Sequence, residues 1–199
     1  HKWAFSIVDK CIVLEDDFVA NESFFKFCKE LLDKYEDDER INHICGMNVL
    51  GEYKNYPYDY FFGFTGTNAW ASWKRVVDKW DENYAYLNDI HNIKNLKKIY
   101  GRRFDRWYKA IRSHKTTGVP FWESILCFDS LMNSRLAIIT TKNMVQNIGM
   151  TVDSTHSDTK LEYLTKTERQ LFNLPTFELD FPLKHPPYVV ADTEYFRQL

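Results

Sequence analysis

The chain has 199 residues, 44% hydrophobic and 27% charged, enough for one globular domain with its own core. A net charge of −2 gives no footprint for nucleic acid or an anionic membrane surface, and no apolar run approaches the ~18 residues of a membrane span. Cys11, Cys28, Cys45 and Cys127 are widely spaced with no CxxC pair, and they read as reduced, buried small hydrophobes of a cytosolic protein.

In chain order, residues 11–14 form a short apolar run that predicts a buried strand, stopped by three carboxylates, Glu15, Asp16 and Asp17. Asn21 or Ser23 then caps a helix in which Phe24, Phe27, Cys28, Leu31, Leu32 and Tyr35 recur at helical spacing. Residues 36–40 are a polar turn. Strand-like runs follow at 41–47 and, between Pro57 and Gly63, at 58–62. After a glycine-rich turn, residues 69–80 carry the rhythm of a helix. Residues 88–113 predict a charged, amphipathic helical pair, broken at Gly101 and covering the core. Another helix starts near Pro120, and the β-branched run 136–141 predicts a strand. Residues 150–173 are polar and loop-rich, with a short helix around 165–172. The chain closes on an extended segment and a short helix. Alternating strands and helices predict an α/β fold.

The acid trio stands where α/β sheets bind ligands, at the carboxyl end of a strand. Three adjacent carboxylates resist full ionisation, and a divalent cation relieves that cost; Mg²⁺ or Mn²⁺ takes one or two carboxylates together with substrate phosphates. The alternative is a solvated turn whose acids favour the N-terminus of the next helix. Aromatics reach 17%, a surplus suited to a groove that stacks on flat ligands such as sugars or bases.

The stretch IVLEDDFVANESFFKFCKELLDKYEDDERINHICGMNVLG resembles the DXD region of GT-A-fold glycosyltransferases, most nearly the bacterial hemolysin-activation-like group, and more distantly the N-acetylglucosaminyltransferases that initiate complex N-glycans. NAWASWKR, VPFWESIL, NMVQNIGMTVDSTHS and DFPLKHPPYVVAD resemble further blocks of the bacterial group in the same order, so the likeness covers nearly the whole chain. It implies a single GT-A-type (Rossmann-like) α/β/α domain over residues 1–199 that begins at the DXD motif and lacks most of the N-terminal nucleotide-binding half. It also implies a chain taken from a longer protein, with the strand near Ile12 left as an apolar edge.

The implied activity is metal-dependent transfer of a sugar from a nucleotide-diphosphate sugar to a carbohydrate or glycolipid acceptor. The setting would be bacterial cell-surface polysaccharide synthesis, in the cytoplasm or peripherally at the inner membrane. Asp17 becomes the direct ligand of Mn²⁺ or Mg²⁺, with Asp16 and Glu15 at its water shell or at the sugar and ribose hydroxyls. Glu123 takes the place of the catalytic carboxylate and implies inversion; a Glu where relatives have Asp lengthens the side chain by one methylene. His156 aligns with a late His near the metal or diphosphate, and Trp70, Trp73 and Trp122 offer an acceptor platform. Plainer readings stand beside these: Glu123 as a helix-start acid bonded to backbone amides, His156 as a loop residue, the tryptophans as core, and His185 as structural. Two other functions remain open: a two-metal phosphoryl or nucleotidyl transferase, which needs a second carboxylate cluster, and a non-catalytic sugar-binding module.

Overall fold

The computed structural model describes residues 1–149, 171–172 and 174–199. It is an α/β structure built on a mixed five-stranded sheet in the order β1-β5-β3-β6-β4. The strands are β1 (Lys10–Val13), β3 (Ile41–Cys45), β4 (Tyr60–Gly63), β5 (Trp70–Trp73) and β6 (Leu136–Thr140), while β2 (Phe18–Ala20) and β7 (Val145–Asn147) form a separate antiparallel pair. β3 and β6 run parallel; every other adjacent pair in the large sheet is antiparallel. The helices are α1 (Lys2–Phe5), α2 (Glu22–Lys34), α3 (Lys74–Val77), α4 (Ile90–Tyr100), α5 (Arg102–Thr117), α6 (Trp122–Met132) and α7 (Thr193–Arg197).

α2 forms where its pattern predicts. Asn21 caps it by accepting from the Phe24 N–H at 3.2 Å, and Phe24, Phe27, Cys28, Leu31 and Leu32 bury one stripe against the sheet. Its far end is tied to β4 by a hydroxyl pair, Tyr35–Tyr60 at 2.7 Å, and Tyr60 continues to His185 Nδ1 at 3.0 Å. Glu30 meets the other ring nitrogen of His185 at 3.1 Å, so this histidine serves the structure. The central strands β3 and β5 are buried along their whole length, as both-face strands must be.

The predicted helix over 69–80 is not there. Its first half is β5, and only Lys74–Val77 is helical. Trp70 and Trp73, three apart, mimic a helical stripe, yet here they face opposite sides of the sheet. The Trp73 indole donates to Leu32 O of α2 at 3.0 Å, whereas Trp70 stacks on Trp122 of α6. Both faces are thus helix-covered: α2 on one, α6 on the other, where the Asn42 amide also donates to Leu126 O at 3.2 Å. The charged pair α4–α5 forms as expected, breaks at Gly101 and buries Ile93, Leu96, Phe104 and Ile111 inward. The expected strands over 41–47 and 58–62 are shorter or shifted, and the C-terminal extended segment and short helix are present. The four cysteines are free; Cys28 and Cys45 are buried, while Cys11 and Cys127 are only half-buried. The short helix expected around 165–172 falls almost wholly outside the described residues. Among the described residues no helix is long and apolar enough to cross a membrane.

The turn between α2 and β3 is held by one side chain. The Arg75 guanidinium lies 4.5 Å from the Trp73 ring centroid and donates to four carbonyls: Tyr35 (3.1 Å), Glu36 (2.8 Å), Asp38 (3.0 Å) and Ile41 (3.1 Å). Arg75→Ala leaves these acceptors to water or to nothing, and is expected to cost about 2–4 kcal/mol in urea unfolding. Arg75→Lys restores less than half of that, because an ammonium cannot span four carbonyls or stack on an indole.

Candidate functional site

β1 ends at Val13 and the chain turns immediately, the Phe18 N–H closing on Glu15 O at 3.2 Å. β2 then pairs with β7, and Ile148 N donates to Asp17 O at 2.8 Å. The three acids therefore sit on a tight bend pinned at both ends, and their side chains diverge. Asp16 is exposed. Asp17 is half-buried against Gly149, where a Cβ would meet its carboxylate, so a larger residue at 149 would have to displace the Asp17 side chain. Glu15 turns inward and accepts from the Ala69 N–H and from its own backbone, while its buried Oε2 has no hydrogen-bond partner among the described residues.

Burial pushes the Glu15 carboxyl up to about 7, and the nearby charges of Asp17 and Glu123 add to the rise. Glu123 lies in the first turn of α6, exposed, and accepts no hydrogen bond from the helix backbone among the described residues. Phe121, at the N-cap, offers no side-chain cap, and its own N–H is used on Tyr84 Oη at 3.1 Å. The plainer reading of Glu123 as an acid bonded to helix amides is thus not the arrangement present. Glu15 and Asp17 share the bend, and Glu123, far off in sequence, lies near enough for its charge to raise the Glu15 carboxyl.

The tryptophans divide. Trp70 and Trp73 are buried, at 0% and 2% exposure, so neither presents a ring face to a ligand. Trp122 is half-buried, its ring 5.4 Å from Trp70 at an 18° tilt, and it lines a cavity of about 120 Å³ with Trp80, Glu82, Pro120 and Ile125. His156 lies outside the described residues.

Several neighbours of the site carry no sequence motif. Cys45 donates to Asn68 O at 3.4 Å, and burial pushes its thiol up to about 12; Cys127 is likewise raised to about 12, so neither is a nucleophile at neutral pH. His43, buried at the centre of β3, meets Gly66 O through Nε2. The one signal of its involvement in the sequence is the polar pair Asn42-His43 inside an otherwise apolar strand.

No protein-family model matches the chain, and no curated protein matches it either. Among the described residues no group of three or more His, Cys, Asp or Glu is arranged to hold a metal ion unaided. A cation that arrives with a diphosphate needs fewer protein ligands, one or two carboxylates, and the remaining positions go to phosphate and water. Accessible Asp16 and half-buried Asp17 are the carboxylates of the bend that such a cation would meet, while Glu15 is turned inward.

The raised Glu15 gives a signed pH dependence. Between about 4.5 and about 7 the folded chain keeps a proton that the unfolded chain has lost, so this group subtracts stability as pH rises through that window. With chelator present, Glu15→Gln is expected to be more stable than the wild type by about 1–3 kcal/mol at pH 8, allowing for solvent screening of a half-buried group. The difference should vanish near pH 4.5, as read by urea unfolding at the two pH values. A gap that persists at the acid end would show that the gain does not come from the carboxyl proton.

Proposed function

We propose that the chain is a GT-A-type, metal-dependent glycosyltransferase that moves a sugar from a nucleotide-diphosphate sugar to an acceptor hydroxyl. The observation that supports this reading is the exposed Glu123 at the start of α6, whose charge is felt by Glu15 on the acidic bend after β1. Asp17 and Asp16 would hold Mg²⁺ or Mn²⁺. Bound there, the cation neutralises the negative charge that builds on the departing nucleoside diphosphate. Glu123 accepts the proton of the acceptor hydroxyl as that oxygen attacks the anomeric carbon. The new C–O bond forms on the face opposite the leaving diphosphate, which departs with the bonding electrons, so the product is inverted. Glu15 faces the sugar or ribose hydroxyls. Trp122, alone of the three platform tryptophans in being only half-buried, stands next to Glu123 on the acceptor side. A carbohydrate or glycolipid of the cell surface is the acceptor class this reading takes.

The acids that a two-metal phosphoryl transferase would need elsewhere are engaged. Asp129 is held by Asn133 at 2.9 Å and Arg135 at 3.4 Å, Asp78 by Lys74 at 2.8 Å, and Asp81 accepts from the Asn83 N–H at 3.1 Å. No second carboxylate cluster remains among them to seat a second metal.

Isothermal calorimetry with UDP and Mn²⁺ tests the site. Binding should require the metal and weaken at least tenfold in Asp17→Ala, whereas Glu123→Gln should keep donor affinity and lose about 10²–10⁴-fold in transfer. Donor binding indifferent to Asp17→Ala would sink the assignment.

A further inference from the structure

The whole-chain charge of −2 hides a strong local asymmetry. Over Ile90–Thr117, the α4–α5 pair, there are nine Lys and Arg and a single acid, Asp105. That acid is already paired, with Lys97 at 2.8 Å. The inward stripe of the pair, Ile93, Leu96, Phe104 and Ile111, is buried, and Phe104 packs on Phe128 of α6 at 5.9 Å. Arg102, Arg106, Lys109 and Arg112 occupy the opposite side of α5 at i, i+4, i+7 and i+10, all exposed, and Lys98 is exposed on α4. So many like charges repel one another, and among the described residues no acid outside the pair forms an ion pair with them.

Apolar residues interrupt this basic surface at the helix ends. Ile99, just before the Gly101 corner, is 69% exposed; Ile90 at the start of α4 is 53% exposed. Val119 and Phe121, just after α5, are 53% and 43% exposed. Exposed Ile90, Ile99 and Val119 among lysines and arginines, with Phe121 stacked on His114 beside them, match an interfacial contact, in which basic groups meet anionic headgroups and apolar side chains enter the acyl boundary. Single-stranded nucleic acid would call instead for a row of free rings to stack on; Trp107 and Tyr108 are half-buried, and Phe121 is stacked on His114 with ring centroids 4.1 Å apart. An acidic protein would match the charge equally well but gives no reason for isolated aliphatics around it.

We propose that the α4–α5 pair is a docking surface for an anionic lipid bilayer. The surface runs through Val119 and Phe121 directly into Trp122 and Glu123, so docking would bring the acceptor side of the site to the membrane, where a lipid-carried acceptor resides. The docking itself is independent of the transferase reading, because it is read by binding alone.

Co-sedimentation of the full chain with vesicles decides it, at ~0.15 M salt, where exposed charges act over a Debye length of about 8 Å. Vesicles of phosphatidylcholine mixed with phosphatidylglycerol should pellet the chain, and phosphatidylcholine alone should not. The triple variant Lys98→Glu, Arg106→Glu, Lys109→Glu should lose at least tenfold in partitioning, and Ile99→Ser with Phe121→Ser about threefold or more, both keeping the wild-type melting temperature within a few degrees. No binding to anionic vesicles, equal binding to both compositions, or an unchanged triple variant would overturn the proposal. Polyglutamate that strips the wild type from the vesicles at equal charge concentration would overturn it too, in favour of an acidic protein partner.

Discussion

The loop of residues 64–69 has to lie against the ends of β1 and β3, and most of the site depends on how that is done. A loop pressed into the protein must find partners for its backbone groups. Here the strands supply them one by one. His43 Nε2 donates to Gly66 O, Cys45 to Asn68 O, and Gly46 N to Ala69 O at 2.9 Å, while Ala69 N–H is taken by the Glu15 carboxylate. Ala69 itself has a φ of 46°, a left-handed conformation uncommon for a residue with a Cβ.

His43 can fill its place only when neutral. Burial lowers its pKa to about 4, and the Asn42 amide, 3.3 Å from Nδ1, leaves the proton on Nε2, where it reaches the loop. As pH falls from about 6.5 towards 4 the unfolded chain gains a proton that the folded chain refuses, so acid works against the loop's anchor. Glu15 has the opposite sign, losing stability as pH rises from about 4.5 to about 7. The two windows overlap between about 4.5 and about 6.5 with opposed slopes, so over that range the two titrations largely offset one another.

Local signals in the sequence carried the elements that local physics decides. The acid stop after residues 11–14 marked the end of β1, and Asn21 with its phenylalanines marked α2. Gly101 marked the break in the charged pair. What was not legible is tertiary. Trp70 and Trp73 fit a helical stripe as well as they fit a strand buried on both faces, and only the helices packed on either side decide between them. The β2–β7 pair is three residues long on each side, too short for a period to register. The acids were visible as a cluster, but the inward turn of Glu15 and the exposure of Asp16 follow from Ala69 and the Phe18 turn, far apart in sequence. Glu123 entered through resemblance alone. Nothing in WESIL itself distinguishes a free carboxylate from a capping one; the difference lies in Phe121 spending its N–H on Tyr84.

α6 joins these parts. At one end the stack of Trp122 on Trp70 sets its start over β5, and four residues on the Asn42 amide fixes Leu126 O above β3. Glu123 lies between those two anchors, so a side chain exposed to solvent still has a backbone that cannot drift. The same helix carries Phe128, against which Phe104 of α5 packs, so the basic pair is seated on the element that aims the carboxylate. In the role proposed for Glu123 such seating matters, because a displacement of about 1 Å at a reacting group costs on the order of 10²-fold in rate. Glu15, through Ala69, and Glu123, through Trp122, are thus both tied to the start of β5, where Trp70 lies fully buried in the core.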